Sequence, residues 1–194
     1  MTLIRERVAR AEPAKRLPGE EGIWVFVLGD MCVFALFFGI FVFERTRAPE
    51  AYEAGRQLLD TTSGAINTLL LLTSSLLVVR AVAAGDARRA PRLFLAALLC
   101  GVGFVIVKAV EWARLLSAGM TPSGGGFFGY YFMFTGTHLA HVVIGVLVLA
   151  RLVRLSRKPR PTERTRVLIE SGAIFWHMVD LLWVVLFPLF YLMQ

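Results

Sequence analysis

The sequence predicts an all-α, polytopic membrane bundle of five transmembrane helices, and three observations carry that prediction. Hydrophobic residues make up 57% of the 194 residues, and the mean hydropathy of +0.66 exceeds that of soluble domains. Five apolar runs are each long enough to cross a hydrocarbon core of about 30 Å. The bases between them alternate in density. Segment by segment, Lys and Arg number five, three, four, one, seven and none, so alternate segments hold sixteen against four. The positive-inside rule then puts the N-terminus in the cytoplasm and the C-terminus outside. The chain reads as a multi-pass protein of the cytoplasmic membrane of a prokaryote, with membrane lipids as partners.

The net charge of +7 does not indicate a nucleic-acid partner, because the bases sit in loops and not along one stripe. Residues 1–21 form a polar, basic cytoplasmic segment with Pro13 and Pro18, and residues 22–194 form the membrane domain. About twenty polar residues precede the first apolar run with no small-residue cleavage site after it, which argues against a cleaved signal peptide. Cys32 and Cys100 lie inside apolar runs and are expected as small buried hydrophobes without a disulfide.

The first span, residues 22–43, contains one acid, Asp30. A polar outer loop with Pro49, Tyr52 and Gly55 leads to the second span, residues 64–84. There Asn67 and Ser74 are seven apart, as are Thr68 and Ser75, a polar stripe suited to contact between helices. A short basic turn precedes the third span, residues 93–116. Near its end Lys108 and Glu111 can pair at i,i+3, read as a snorkelling pair near the outer interface, with Trp112 in the interfacial belt. The glycines of the turn MTPSGGGFFG are not a phosphate loop, since no Gly-Lys-Ser/Thr follows. The fourth span, residues 127–153, carries His138 and His141. The fifth, residues 167–193, carries His177 and Asp180, which share one helical face.

Several chemistries fit these residues. His138, His141 and His177 could ligate a metal or a haem, or serve as interhelical hydrogen-bonding groups. The second reading is favoured, because there are only three histidines and no Cys-x-x-Cys-His. Asp30, His177 and Asp180 could form a proton relay or transport site, or a structural polar cluster. No inverted repeat supports a transporter. No nucleophile triad or zincin motif is present, so no catalytic residue, bound cofactor or metal ligand is assigned.

The motifs NTLLLLTSS (67–75), Glu111-Trp112, TGTHLAHVVIG (135–145) and FWHMVDLLWVVLFPLFY (175–191) occur in order across nearly the whole chain. With these the chain resembles cytochrome c oxidase subunit III, the third subunit of haem–copper respiratory oxidases, in the five-helix form found in bo-type quinol oxidases. The resemblance implies a non-catalytic subunit without haem or copper of its own, those cofactors belonging to a catalytic partner. It also implies packing on that partner, bound phospholipid, and support of proton uptake and of the active site's stability. Where the family commonly has Ser-Glu, this sequence has Gly29-Asp30. The stretch GIWVFVLGD is also similar to the NorE-type branch, which implies an accessory protein for nitric oxide reduction as the alternative. An independent small transporter or b-type cytochrome comes behind both.

Depth adds one expectation. Counted at ~1.5 Å per residue from the nearest cytoplasmic charge, Asp30, His141, His177 and Asp180 fall in one layer at ~11–15 Å. Unpaired burial is costly, so Asp30 is expected to bond to His141 or His177, with His138 on the same face and Asp180 turned to a neighbouring helix or the partner.

Overall fold

The structure, a computed structural model, describes residues 17–84, 86–158 and 162–193. Most of the polar N-terminal segment, residues 1–16, lies outside them. Six α-helices and no strand form among the described residues: α1 Glu21–Arg47, α2 Pro49–Gln57, α3 Thr61–Ala84, α4 Ala90–Ser117, α5 Gly126–Leu155 and α6 Glu163–Phe187. A π turn over Pro188–Leu192 continues α6. All but α2 are long and apolar enough to cross a membrane. Each outruns the limit set by hydropathy alone, because a spanning backbone can satisfy its N–H and C=O groups only within the helix.

The helices start where local chemistry allows. Asp60 accepts hydrogen bonds from the Thr62 amide (3.0 Å) and the Ser63 hydroxyl (2.6 Å), satisfying an orphan donor at the head of α3. Pro91 sits in the first turn of α4, where its missing N–H costs nothing. The Thr162 hydroxyl accepts from the Thr165 amide at the head of α6. Before α1, the Gly19 amide donates to Glu170 (2.8 Å) and the Glu20 amide to Ser171 (2.9 Å), tying the entry of the first span to the last.

The segment expected as an outer loop is helical. In α2, Tyr52 and Gly55 are buried, and a Cβ on Gly55 would come within 2.5 Å of the Phe127 ring. Pro49 starts this helix with a preset φ, and a glycine on its inner face lets it lie flat on α5. Short amphipathic helices escape a hydropathy reading because their mean is polar.

Helices α3, α4, α5 and α6 form a ring of four, each packed on its neighbours in the order α3–α4–α5–α6–α3. Gly145 in α5 faces the Trp176 indole of α6, where a Cβ would approach within 2.6 Å. Helix α1 lies outside this ring against α6. It reaches α5 and the π turn through large rings: Phe37 on Phe134 at 5.5 Å, and Phe41 on Phe190 at 4.6 Å. One stripe of α1 is therefore buried (Phe34 and Phe41, 1% exposed) while Val25, Leu28 and Leu36 are over 60% exposed. Cys32 lies on the open side, so the expectation that it is buried fails; Cys100 is half-buried, and both are free. An apolar position on a peripheral span has lipid as its solvent, and hydrophobicity alone does not distinguish that from a protein core.

Candidate functional site in the membrane interior

Toward the end of the bundle that carries α2, four side chains form a closed knot. Lys108 donates to Glu111 (3.0 Å), to Tyr131 (3.1 Å) and to Tyr191 (2.7 Å), which uses all three ammonium protons. Both tyrosine hydroxyls donate to the second oxygen of Glu111, at 2.9 and 2.5 Å. The Trp183 ring lies 4.8 Å from the ammonium and adds a cation–π contact. The expected Lys108–Glu111 pair exists, but snorkelling does not: the two side chains are 0% and 5% exposed. Lys108 lies roughly nine residues, ~14 Å, from the end of α4, deeper than its four-carbon stem can reach. A buried ion pair is tolerated when further hydrogen bonds satisfy its remaining protons and lone pairs, and the tyrosines supply them.

The groups nearer the arginine-rich end are arranged differently. Asp30 in α1 approaches His141 Nε2 at 3.3 Å, so the expected bond from Asp30 to a histidine is made to His141. His141 Nδ1 lies 2.9 Å from the Thr137 carbonyl. A carbonyl only accepts, so Nδ1 donates there, which leaves Nε2 as the ring nitrogen that faces the Asp30 carboxyl. His177 bonds instead to Ser75 in α3, at 2.7 Å.

The single layer thus separates. His138 does not share the face of His141: it turns into the four-helix ring, stacked on Trp183 (5.4 Å) and edge-on to Phe104 (5.6 Å). It is fully buried, with neither ring nitrogen hydrogen-bonded among the described residues. Asp180 is buried, and among the described residues neither its Oδ1 nor Asp30 Oδ2 has a hydrogen-bond partner. Three residues along a helix is 300°, and that 60° offset turns His138 toward α4 and α6 while His141 meets α1. The three imidazoles therefore serve three different neighbours, and no group of three His, Cys, Asp or Glu among the described residues is placed to hold a metal ion.

The stripe of α3 divides in the same way. Ser74 donates to the Ala97 carbonyl of α4 (2.8 Å), and Thr68 accepts from the Trp183 indole (3.0 Å). Asn67 is fully buried, with no hydrogen-bond partner for its amide among the described residues.

The profile described as cytochrome c oxidase subunit III matches residues 18–194, nearly the whole chain. The chain belongs to this family. A heme-copper oxidase subunit I+III of Aeropyrum pernix is 31% identical over 180 residues, covering 88% of this chain and 22% of the relative. The chain spans only about a fifth of that longer protein. A cytochrome c oxidase subunit 3 of Corynebacterium diphtheriae is 30% identical, covering 89% of this chain and 87% of its own length. A quinol oxidase subunit 3 of Bacillus subtilis is 27% identical, with coverage of 89% and 85%. Subunit III relatives thus carry names with either electron donor, and these names lend no support to the nitric oxide reductase reading.

Sequence reasoning missed Tyr131, Tyr191 and Trp183. Tyr131 was within reach, since Tyr131, Thr135, His138, Val142 and Gly145 recur at helical spacing and all are buried. Tyr191 was not. It follows Pro188, and the π turn there alters the register that simple periodicity assumes.

Proposed function

We propose that this chain is the non-catalytic subunit III of a haem–copper terminal oxidase in a prokaryotic cytoplasmic membrane, packing on the catalytic subunit that holds haem and copper. The observation that carries the reading is the match over residues 18–194 together with the Aeropyrum relative, in whose name subunits I and III share one chain. A subunit fused to its partner works beside it. The contribution of this chain to proton uptake falls to the Asp30–His141 pair, a carboxyl and an imidazole 3.3 Å apart between α1 and α5. The buried knot around Lys108, with every polar atom engaged, is assigned to structure.

Copurification tests the reading. The tagged full chain, extracted in mild detergent from its own host, is expected to bring down a partner with a haem Soret band. The chain purified alone should be spectrally flat. Recovery without any haem protein, or a haem bound stoichiometrically by the chain itself, would refute it.

The orientation with N-terminus inside rests on the distribution of bases. Single cysteines at Ser63, which is half-buried, and at Lys158, which is exposed, should label from opposite sides of intact cells, Ser63 from outside. Ser156, though in the same basic loop, is buried and bonded to the Val153 carbonyl, and is a poor probe.

A further inference from the structure

We infer that the open side of α6, between α1 and α3, is the seam that receives a spanning helix of the catalytic subunit, and that this helix brings a hydrogen-bonding side chain to the depth of His177. The inference rests on the subunit assignment above and names the face through which the two subunits meet. Three sides of α6 are taken by this chain's own helices. Trp176 fits against Gly101 of α4 and Gly145 of α5, Phe175 meets Phe26 of α1 at 6.0 Å, and His177 meets Ser75 of α3 at 2.7 Å. At about 100° per residue, Leu181 and Val185 fall between the α1 and α3 contacts, with Val184 beside His177. These three are 49%, 38% and 38% exposed, on the span that is otherwise the most buried of the five.

The second nitrogen of His177 sets this side apart. Nδ1 is engaged by Ser75, whereas Nε2 has no hydrogen bond among the described residues and is not enclosed by them. The ring is half-buried, and it lies seven residues, ~11 Å, past Glu170, inside the hydrocarbon. In a neutral imidazole one nitrogen donates and the other accepts, so Nε2 needs a partner in either tautomer. Acyl chains offer neither donor nor acceptor, and a polar group left facing them is costly. A polar side chain on a neighbouring helix satisfies it, which is how helices are joined within membranes. The other open faces make no such demand. On α4 the exposed Leu95, Leu99, Ile106 and Val110 are apolar, as are Val25, Leu28 and Leu36 on α1, and lipid tails suit them. Beside His177, the side chains of Leu181, Val184 and Val185 supply the ridge on which the incoming helix packs.

The test reads haem recovered per tagged full chain, extracted in mild detergent from its own host. Leu181→Trp fills the seam and is expected to lower that ratio severalfold, while Leu99→Trp on the open face of α4 leaves it unchanged. His177→Phe keeps a ring there and removes the outward nitrogen, so recovery should fall about fivefold, the effect of one hydrogen bond. Circular dichroism of each chain purified alone checks that its helices are intact. A second measurement leaves His177 in place and uses a chain with Cys32→Ser and Cys100→Ser. A nitroxide at Val185→Cys should be open to dissolved oxygen in the chain alone and shielded in the haem-containing complex, and one at Leu99→Cys open in both. Full haem recovery by Leu181→Trp would overturn the seam as the contact. A Val185 label equally open in both states would put lipid there in place of a helix, and crosslinking of Val185→Cys to a second copy of this chain would make the seam a homodimer contact; either result overturns the proposal. If the unmodified chain itself recovers no haem, the subunit assignment has failed and the seam falls with it. Equal recovery by unmodified and altered chains removes the seam alone.

Discussion

The two polar regions inside the bundle solve the problem of charge in hydrocarbon in opposite ways. Around Lys108 the solution is closure: one cation, one anion and two hydroxyls from α4, α5 and the π turn satisfy each other completely. Around Asp30, His141, His177 and Asp180 the contacts are single ones across helices, Asp30 to His141 and His177 to Ser75, and Asp30 Oδ2 and Asp180 Oδ1 have no partner among the described residues. A closed network resists change and exchanges nothing. An open one is less costly to alter and keeps sites at which a proton or a partner's donor can act. The contrast separates what holds this bundle together from what it offers to a neighbour.

The sharpest way to break the contrast is to remove one partner from the knot. Glu111→Ala leaves a buried, unpaired ammonium and is expected to cost about 3–5 kcal/mol in detergent unfolding. Replacing the whole knot at once (Lys108→Met, Glu111→Leu, Tyr131→Phe, Tyr191→Phe) should be close to neutral, because an apolar set needs no closure. Equal losses for the single and quadruple variants would show that the knot is not a self-contained unit.

On the open side the same operation should cost less. Asp30→Ala strands one imidazole nitrogen in a half-buried place, and about 1–3 kcal/mol is expected. Asp30→Asn keeps a hydrogen-bonding group there and should recover most of it. The asparagine has no acid proton to share, so proton uptake by the assembled oxidase should slow while the isolated chain stays folded. A fast Asp30→Asn complex would remove the pair from the proton path.

Asp60, outside the membrane, provides the baseline. The Ser63 hydroxyl, helped by the Thr62 amide, holds its carboxyl below the usual range against the opposing effect of burial. Asp60→Ala should cost about 1 kcal/mol, the ordinary effect of losing a helix cap. Because the folded value is the depressed one, this contribution is present above the unfolded carboxylate value of about 3.9 and is lost as pH falls through the folded value. Melting curves of wild type and variant should therefore converge in acid.

Much of this was legible in the sequence. Five spans followed from the length and apolarity of the runs, and contact between Asp30 and a histidine followed from depth, since groups at one level in hydrocarbon seek each other. The i,i+3 spacing of Lys108 and Glu111 showed a pair. It could not show that the pair is buried, because a long cation near a helix end looks the same whether it reaches outward or inward. Rotational phase was the other gap. It split His138 from His141 and sent His177 to Ser75, and it depends on which helices become neighbours, which no single helix encodes. The amphipathic α2 was hidden by its polar mean.

The peripheral seat of α1 has a consequence for how the protein is made. Apart from Phe41 on Tyr52 of the adjoining α2, its contacts are with segments synthesised much later: Gly19 bonds to Glu170, 151 residues downstream, and Asp30 waits roughly a hundred residues for His141. At ribosomal speeds of roughly 5–20 residues per second, the first span resides in the bilayer for roughly 5–20 s with its carboxyl unmatched. During that interval α5 and α6, the members of the ring that α1 packs against, are still incomplete. Helix α1 has to be a competent membrane helix by itself, which its 27 residues and single internal acid allow, and the bundle is completed when the last helix arrives to meet the first.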